Sequence, residues 1–308
     1  MRIALVGCGR WGRHILRDLG ALGCQVWVVA RSAESRRRAA ERGAAEIVSA
    51  IDGLADVRGV VVATPTVTHA EVVTSLLALE VPVFVEKPLT ADVAEAERLL
   101  EAAGERVFVM DKWRYHPGIE ALAEIARSGE LGQVNGLRTA RVGWGHSYAD
   151  VDTVRIHAPH DLAIALEILD ELPEARSAVG EHMGDELTGL VATLGDSPWV
   201  AIEVSASSHR RRREVRLICE GGTAWLEDGY ADRIGVAAAG RVGDEPEWRP
   251  ISTEMPLLRE LRAFVEHLDG GPPPRSSAAE GAAIVGRIHE LRALARVGSE
   301  PREAATWP

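Results

Sequence analysis

The sequence is poor in cysteine, and it lacks long apolar runs. Its three cysteines, Cys8, Cys24 and Cys219, form no close pair and no metal-ligand spacing. We therefore expect reduced thiols and no bound metal. No apolar run reaches the length of a membrane span. The first predicted strand begins at Arg2, which leaves no room for a signal peptide and predicts a cytoplasmic protein.

Acidic residues outnumber basic ones, 46 Asp and Glu against 35 Lys and Arg, so the formal net charge is -11 at pH 7. Nucleic-acid phosphates would be repelled, so we expect no nucleic-acid surface. Lysine occurs only as Lys87 and Lys112, so a lysine inside a motif is notable. The remaining composition, 46% apolar and 26% charged, is typical of a globular protein. A length of 308 residues predicts two domains.

The most informative segment is Arg2-Ile-Ala-Leu-Val-Gly-Cys-Gly-Arg-Trp-Gly-Arg-His14, in which an apolar strand leads into three glycines and then a helical pattern. Such a layout places a pyrophosphate at a helix N-terminus. The first glycine permits the turn, the second lets the backbone approach the phosphates, and the third lets helix and strand pack closely. The alternative is a strand–helix turn without a ligand. The predicted cofactor residues here are Gly7, Gly9, Arg10, Trp11 and Gly12.

Short apolar runs and helical patterns alternate from Arg2 to about Met110. This alternation predicts βαβ units and a doubly wound, mostly parallel sheet of the Rossmann type over residues 1–114. The predicted strands are Ile3–Val6, Gln25–Val29, Gly59–Ala63, Pro82–Val85 and Arg106–Met110, and the predicted helices are Glu34–Arg42, Val67–Leu79 and Asp92–Ala103. Ligands of such sheets bind beyond the carboxyl ends of the strands.

The residues after the second strand indicate which nicotinamide coenzyme is bound. An acidic residue there would bond the ribose hydroxyl of NAD, but the chain has Arg31 and Ser32, with Arg36 a turn later. A guanidinium can bind the 2′-phosphate of NADP, so NADP is favoured and NAD stays possible. The alternative is that these arginines are solvated.

Two further strand ends carry candidate cofactor residues. Thr64, Pro65 and His69 follow the strand at residues 59–63 and would line the cofactor trough. Alternatively, Thr64 is a helix cap and His69 a surface residue. Val83-Phe-Val-Glu-Lys-Pro-Leu89 ends the next strand with Glu86, Lys87 and Pro88, a charged pair facing the crevice expected for nicotinamide. Here the alternative is a salt bridge between Lys87 and Glu86 at the strand end.

These motifs together resemble the Gfo/Idh/MocA family of nicotinamide-dependent oxidoreductases. Further similar segments are Lys112-Trp-Arg-Tyr-His-Pro117, Ser128-Gly-Glu-Leu-Gly132, Ala158-Pro-His-Asp-Leu162 and Cys219-Glu-Gly-Gly-Thr-Ala-Trp-Leu226. The resemblance implies a two-domain dehydrogenase or reductase acting on a sugar, nucleotide sugar or cyclitol. It also implies that Lys87 touches the substrate oxygen and the nicotinamide ribose, and that the Lys87–Pro88 bond is cis. A cation near a developing alkoxide would stabilise it.

The second predicted domain covers residues 115–308 and changes to an α+β pattern. Helices are predicted at Ile119–Arg127, Leu257–Leu268 and Ala278–Ala295, and β-rich runs at Val134–Trp144, Val191–Leu194, Trp199–Ser205, Val215–Cys219 and Ala224–Glu227. Hairpin spacing indicates a mainly antiparallel open sheet with helices on one face. The resemblance implies that the open face builds a homodimer or homotetramer. The last helix is predicted to pack back on the first domain.

The segment Ile156-His-Ala-Pro-His-Asp-Leu162 carries the second candidate catalytic residue. Pro159 suits the first turn of a helix, which would place His160 at its exposed start. The resemblance implies an aspartate four residues before this histidine, where the chain has Ile156. His160 is therefore the predicted proton donor or acceptor, its alternative being a satisfied helix-start residue. Asp152, His157 or Asp161 would bind substrate in place of the missing aspartate. His157 and Asp161 are alternatively helix-cap or supporting groups.

Three other groups of residues are candidates for substrate contacts. Trp113, Arg114 and Tyr115 stand at the predicted domain junction, where a cleft is expected. Trp144, His146 and Tyr148 would stack on a sugar ring and bond its hydroxyls, although such loops also serve as lids or interfaces. The run Arg210–Arg213 is read as a solvated hairpin tip, with binding of a nucleotide-sugar diphosphate as the alternative.

The sequence thus favours an NADP-preferring dehydrogenase or reductase of carbohydrate-like substrates. Lys87 would polarise the substrate oxygen while His160 exchanges the proton. One alternative is an imine or enone reductase of the same family. Another is a non-catalytic nicotinamide-binding sensor or scaffold, which the residue Ile156 favours.

Overall fold

The computed structural model describes residues 1–144, 151–240 and 243–297. It divides the chain into two compact units. Unit 1 consists of Met1–His116 and Glu254–Val285, and unit 2 consists of Pro117–Thr253 and the residues from Gly286 onward. The first part of the last helix therefore belongs to unit 1. The functional division at residues 114 and 115 stays a prediction.

The secondary structure consists of strands and helices with the following bounds. The strands are β1 (Arg2–Val6), β2 (Gln25–Val29), β3 (Glu46–Val48), β4 (Gly59–Val62), β5 (Val83–Glu86), β6 (Val107–Met110), β7 (Val134–Trp144), β8 (Ala175–Met183), β9 (Glu186–Leu194), β10 (Trp199–Ser205), β11 (Ser207–Cys219), β12 (Gly222–Leu226), β13 (Arg233–Ala238) and β14 (Glu247–Pro250). The helices are α1 (Gly12–Ala21), α2 (Ala33–Glu41), α3 (His69–Leu76), α4 (Val93–Ala103), α5 (Pro117–Ser128), α6 (Thr153–Leu169), α7 (Pro256–Leu268) and α8 (Ala278–Val297).

Unit 1 contains a six-stranded parallel sheet with the strand order β3-β2-β1-β4-β5-β6. Apolar residues cover both faces of its central strands. Ile3 and Leu5 pack with α1 and α7, whereas Ala4 and Val6 belong to the core on the opposite face. The predicted Rossmann-type sheet is confirmed. The short strand β3 was not predicted, because its three residues are half-buried or exposed and form no apolar run.

Unit 2 contains an eight-stranded sheet with the order β14-β13-β12-β11-β7-β10-β9-β8. Its neighbours pair antiparallel except for β7 and β10, so the predicted mainly antiparallel sheet is confirmed. The hairpin-tip interpretation of Arg210–Arg213 is wrong. These residues lie inside β11, which pairs with β7 from Arg212 onward after a register shift that begins at Ser207. An irregular part of an inner strand therefore carries these arginines.

Helix α6 begins earlier than the sequence predicted. Asp152 is the N-cap, and its carboxylate accepts a hydrogen bond from the Arg155 backbone N–H at 3.0 Å. Pro159 consequently lies inside the helix, so the prediction that it stands in the first turn is wrong. A proline inside a helix removes one backbone hydrogen bond. The cap and the buried side chains of Val154 and Ile156 stabilise the turns that precede it. In the described ranges, no helix is long and apolar enough to cross a membrane.

Candidate active-site residues in the two units

The glycines after β1 are required for different reasons. Gly7 has φ +96°, and a Cβ atom placed on it would lie 2.6 Å from the Ala63 carbonyl oxygen. A Cβ atom on Gly12 would lie 2.3 Å from the Gly7 carbonyl oxygen. A Cβ atom on Gly9, in contrast, meets nothing within 4 Å. The protein's own packing therefore requires Gly7 and Gly12, whereas the open space at Gly9 fits the close approach of a bound coenzyme.

The N-terminus of α1 has the chemistry of an anion site. Its N-cap Trp11 makes no side-chain cap hydrogen bond, and its first turn contains no acidic residue. Arg10 is exposed and Arg13 is half-buried in the same turn. The positive end of the helix dipole favours a phosphate at such a terminus. The residues of this loop thus fit the pyrophosphate of a dinucleotide.

The segment after β2 presents arginine to the solvent. Ser32 caps α2, since its hydroxyl accepts a hydrogen bond of 3.1 Å from the Ser35 N–H. Arg36 donates from Nε to the Ala30 carbonyl oxygen at 3.0 Å, and Arg31 is exposed. The bond to Ala30 holds the Arg36 guanidinium beside the end of β2. That position suits contact with a ribose phosphate, but the contact stays a prediction.

His69 is buried, with an exposed fraction of 1%, so its interpretation as a surface residue is wrong. Its Nδ1 lies 2.9 Å from the Pro88 carbonyl oxygen, and its Nε2 lies 3.0 Å from the Thr64 carbonyl oxygen. Burial lowers the pKa of His69, and hydrogen bonding to these carbonyls opposes that effect. The ring therefore ties the end of β4 to the Lys87–Pro88 turn, and any coenzyme contact stays a prediction.

The two other residues of that strand end lie nearer the surface. Thr64 is half-buried and Pro65 is exposed. The Thr68 hydroxyl donates to the Thr64 hydroxyl at 2.9 Å. Thr64 is not the N-cap of α3, because that position belongs to Thr68. Contact of Thr64 and Pro65 with a coenzyme stays a prediction.

Lys87 follows β5 at the carboxyl edge of the parallel sheet, and its peptide bond to Pro88 is cis, as the resemblance implied. Glu86 pairs in register with Met110 of the neighbouring strand β6. Burial raises the pKa of Glu86, whereas Lys87, Lys112 and the Trp11 indole lower it. The Lys112 ammonium lies 4.3 Å above the centre of the Trp11 ring. Both lysines of the chain are therefore in the surroundings of one carboxylate.

Two acidic residues of this region were missed at the sequence level. Asp111 and Glu260 are each only 1% exposed. Burial raises the pKa of Asp111 to about 7, against the opposing effect of Arg114 and Lys87. Burial and the nearby Glu86 and Asp111 raise the pKa of Glu260 well above its usual value.

Both acids stand at sequence positions where a charged residue is unexpected. Asp111 is the acid that directly follows the apolar run of β6. Glu260 interrupts the buried stripe of α7 between Leu257, Leu261 and Phe264. A charged residue at either kind of position is unusual, and each would have been a reasonable candidate.

The residues predicted to contact substrate at the junction are bonded within unit 1. Arg114 donates to the Arg275 carbonyl oxygen at 2.7 Å and to the Glu280 carboxylate at 3.0 Å. The Tyr115 hydroxyl accepts a hydrogen bond of 2.8 Å from the Arg275 N–H. Trp113 is buried and stacks on His116. These contacts hold the segment after β6 in place, and a contact with substrate stays a prediction.

Helix α6 of unit 2 carries the predicted proton carrier and its neighbours. Asp161 is buried and forms an ion pair of 2.9 Å with buried Arg141 of β7. Burial raises the pKa of Asp161, and Arg141 lowers it. His157 and His160 are half-buried and lie three residues apart, so they share one helix face. Ile156 is buried one turn before His160.

The remaining candidates in unit 2 have different outcomes. Besides capping α6, Asp152 forms an ion pair of 2.6 Å with Arg292. Asp152 and Asp161 are thus both engaged in ion pairs, and a contact of His157 with substrate stays a prediction. Trp144, at the end of β7, is 72% exposed. His146 and Tyr148 lie outside the described residues.

Comparisons with known proteins give consistent results. The family model described as "Oxidoreductase family, NAD-binding Rossmann fold" matches residues 1–110. An inositol 2-dehydrogenase of Gluconacetobacter diazotrophicus is 33% identical over 352 residues, which cover 96% of this chain and 97% of that relative. Inositol 2-dehydrogenase 1 of Paenarthrobacter aurescens is 28% identical over 206 residues, which cover 63% of this chain. The chain spans 58% of the length of that second relative.

A solved structure shares the fold across both units. The UDP-N-acetylglucosamine 3-dehydrogenase of Acidithiobacillus ferrooxidans superposes with a TM-score of 0.84, covering 97% of this chain and 99% of its own. Its sequence identity is 22%, so this likeness shows the fold alone. The family itself is shown by the family model together with the relative that is 33% identical over 96% of this chain. The chain belongs to the Gfo/Idh/MocA family of oxidoreductases.

Proposed function

We propose that the chain is a nicotinamide-dependent dehydrogenase or reductase. Its substrate is a cyclitol, sugar or nucleotide sugar, at a hydroxyl or keto carbon. The observation that carries the proposal is the open space at Gly9, beside a helix N-terminus without an acidic cap, on a sheet that also carries Lys87. The relatives named for inositol and for UDP-N-acetylglucosamine support this substrate class.

The residues of unit 1 bind the coenzyme and polarise the substrate. The loop Gly7–Gly12 receives the pyrophosphate, while Thr64, Pro65 and the Glu86–Pro88 turn flank the nicotinamide end. The bound coenzyme supplies the hydride acceptor or donor. The Lys87 ammonium stabilises the negative charge that develops on the substrate oxygen.

The residues of unit 2 handle the proton and the substrate. His160 exchanges the proton of the substrate hydroxyl, the general acid–base role for which imidazole is the side chain used most often. His157, one turn earlier on the same face, bonds substrate hydroxyls in place of the missing aspartate. Trp144 offers an exposed aromatic ring for stacking on a sugar.

The coenzyme preferred is NADP. Residues 30–32, directly after β2, include neither an aspartate nor a glutamate, and Arg31 and Arg36 supply guanidinium groups for a ribose 2′-phosphate. A fluorescence titration with both coenzymes tests this preference. Arg31→Ala is expected to weaken NADP at least tenfold and to leave NAD unchanged. Tighter binding of NAD than of NADP by the wild type would overturn the preference.

The role of Lys87 is tested with Lys87→Met, which keeps the length of the side chain and removes its charge. A panel of cyclitols, sugars and keto sugars is offered while the absorbance of reduced nicotinamide is followed. The variant is expected to bind NADP normally and to lose about a hundredfold or more of turnover. Arg98→Met removes an exposed cation from α4 and is the matched control. Full activity of Lys87→Met would refute the assigned role.

A second candidate function is a nicotinamide-binding sensor without catalysis. The specific observation in its favour is the buried, apolar Ile156 at the position where the resemblance implies an aspartate. The same panel separates the two functions, with imines and enones added to include the related reductases. Tight NADP binding without turnover of any compound would favour the sensor.

The outer face of the sheet in unit 2 is proposed to bind a second copy of the chain. Val179 of β8 pairs with Val191 of β9, and their side chains are 71% and 56% exposed. A groove next to this pair is lined by charges of both signs, including Glu203, Arg212 and Glu214. A surface with both apolar and mixed charged areas can complement itself across a two-fold axis. Val191→Asp is expected to yield monomers in sedimentation experiments, and an unchanged mass would contradict this interface.

A further inference from the structure

The pairing of two strands places Lys87 beside an acidic residue. Glu86 and Met110 are register partners on β5 and β6, which run parallel. The residues that follow them are Lys87 and Asp111, so these stand at neighbouring positions along the carboxyl edge of the sheet. Neighbouring strands lie about 4.8 Å apart, which is within reach of both side chains.

The charges around this pair come from several elements of unit 1. Carboxyl groups are supplied by Glu86 of β5, Asp111 and Glu260 of α7, and ammonium groups by Lys87 and Lys112. The charge of Lys87 also lowers the pKa of His69, which lies at the start of α3. Arg114 and Glu280 of α8 complete the surroundings as an ion pair of 3.0 Å. Three carboxyl groups thus share a buried region with two lysines.

Glu260 is the carboxyl group best suited to be neutral. Both of its carboxyl oxygens are buried without a hydrogen-bond partner among the described residues. An ionised carboxylate in that state would be very costly, whereas a protonated acid avoids the penalty. With Glu260 neutral, the carboxylates of Glu86 and Asp111 balance the two ammonium groups. Glu86 faces Lys112 and Trp11 as well as Lys87.

Arg114 is largely occupied by other partners. It donates to the Arg275 carbonyl oxygen, the Ser276 hydroxyl and the Glu280 carboxylate. Glu280 is one of its carboxylate partners, and its charge also attracts Asp111. After Arg114, Lys87 is the cation that attracts Asp111 most. Asp111 therefore interacts with the charge of Lys87 as well as with that of Arg114.

We propose that Asp111 is a positioning residue for Lys87: its carboxylate holds the ammonium group at the sheet edge, and its charge sets the proton affinity of that group. The pKa of about 7 for Asp111 supports this role, because the charge would change within the working range of an enzyme. Ionised Asp111 keeps Lys87 protonated and directed along the edge. Protonated Asp111 releases it. The consequence for hydride transfer rests on the proposed function, whereas the pairing of the two groups does not.

The chain offers an unusually direct test, because it contains two lysines. Protein produced with lysine labelled by a stable carbon isotope at Cε gives two side-chain signals in NMR, and Lys112→Arg assigns them. In the wild type without coenzyme, the Lys87 signal is expected to show a second inflection near pH 7, where Asp111 titrates. A Lys87 signal without that inflection would overturn the proposal, even if no variant folds.

Asp111→Asn removes the charge with little change in shape. The acid dissociation constant of Lys87 is expected to rise at least tenfold in this variant, which lowers its pKa by one unit or more. Glu105→Gln, an exposed acid just before β6, is the matched control and should leave the constant unchanged. An unchanged constant in folded Asp111→Asn would refute the proposal. Circular dichroism and NADP affinity show whether the variant is folded.

The pairing of Asp111 with Lys87 and the proposed enzymatic function are contradicted by different results. A tenfold effect in NMR combined with no turnover on any substrate would remove the proposed function and keep the pairing. Turnover that depends on Lys87, combined with a silent NMR titration, would remove the pairing and keep the function. If both hold, the pH profile of kcat is expected to differ between the wild type and Asp111→Asn, with KM for NADP unchanged.

Discussion

Asp111→Asn should change how the stability of the protein depends on pH. The pKa of Asp111 rises from 3.8 to about 7 in the folded protein, mainly through burial. An acid whose pKa is higher in the folded than in the unfolded protein does not change stability at pH values below its unfolded-state pKa. As the pH rises from there to the folded-state pKa, this acid progressively lowers the free energy of unfolding. At about 1.4 kcal/mol per pKa unit, the wild type loses about 4 kcal/mol between pH 4 and pH 8 through this group.

The asparagine variant does not titrate and so avoids that loss. The difference in unfolding free energy, variant minus wild type, is therefore expected to increase by about 4 kcal/mol from pH 4 to pH 8. The change with pH is informative even if the substitution also removes a pH-independent contact.

Urea unfolding followed by circular dichroism at a series of pH values measures this difference. Glu105→Gln, the exposed control, should give a flat difference across the same range. A flat result for Asp111→Asn, or a difference that falls as the pH rises, would refute the electrostatic description of this cluster.

Three further predictions concern other parts of the two units. Gly9→Ala should leave the unfolding free energy within about 0.5 kcal/mol of the wild type and weaken the binding of NADP at least tenfold. Gly12→Ala should lower the unfolding free energy by about 1–3 kcal/mol, because its Cβ would meet the Gly7 carbonyl oxygen. Equal NADP affinity for Gly9→Ala and wild type would contradict the coenzyme site. Arg141→Met should destabilise unit 2 by about 3–5 kcal/mol in urea unfolding, because buried Asp161 loses its partner. Adding Asp161→Leu to this variant should recover most of the lost unfolding free energy. If it recovers none, the destabilisation does not come from the unpaired Asp161 carboxylate. His69→Leu should lower stability by about 2 kcal/mol or more, since the neutral ring donates one hydrogen bond, to the Pro88 or the Thr64 carbonyl oxygen, and that bond is lost. Thermal unfolding with no shift would show that the ring does not tie these loops.

Much of unit 1 could be predicted because its information is local. The apolar runs of β1, β2, β4, β5 and β6 are separated by helical patterns, and their bounds differ from the predicted ones by one residue at most. The glycine loop is equally local, since Gly7, Gly9 and Gly12 lie within six residues of each other. The long strand β7, Val134–Trp144, was also predicted with its observed bounds.

What escaped prediction depends on residues far apart in the chain. Asp111 and Glu260 interact electrostatically because the chain returns to unit 1 at Glu254, after the segment that belongs to unit 2. The pair of Arg141 and Asp161 depends on how α6 packs against β7.

The start of α6 was wrongly placed because Pro159 is a strong local signal, typical of a first turn. The cap at Asp152 and the burial of Ile156 outweigh that signal. Neither effect is visible in the seven residues that carry the histidine motif.

Hydride transfer by this chain is measured by the transfer of deuterium from substrate to coenzyme. The protein is incubated with oxidised NADP and a panel of cyclitols and sugars deuterated at their carbinol carbons, and the reduced coenzyme is analysed by mass spectrometry. Hydride transfer predicts one deuterium at C4 of the nicotinamide from at least one compound, and loss of that label in Lys87→Met. Reduced coenzyme without deuterium, or label transfer that persists undiminished in Lys87→Met, would contradict the account.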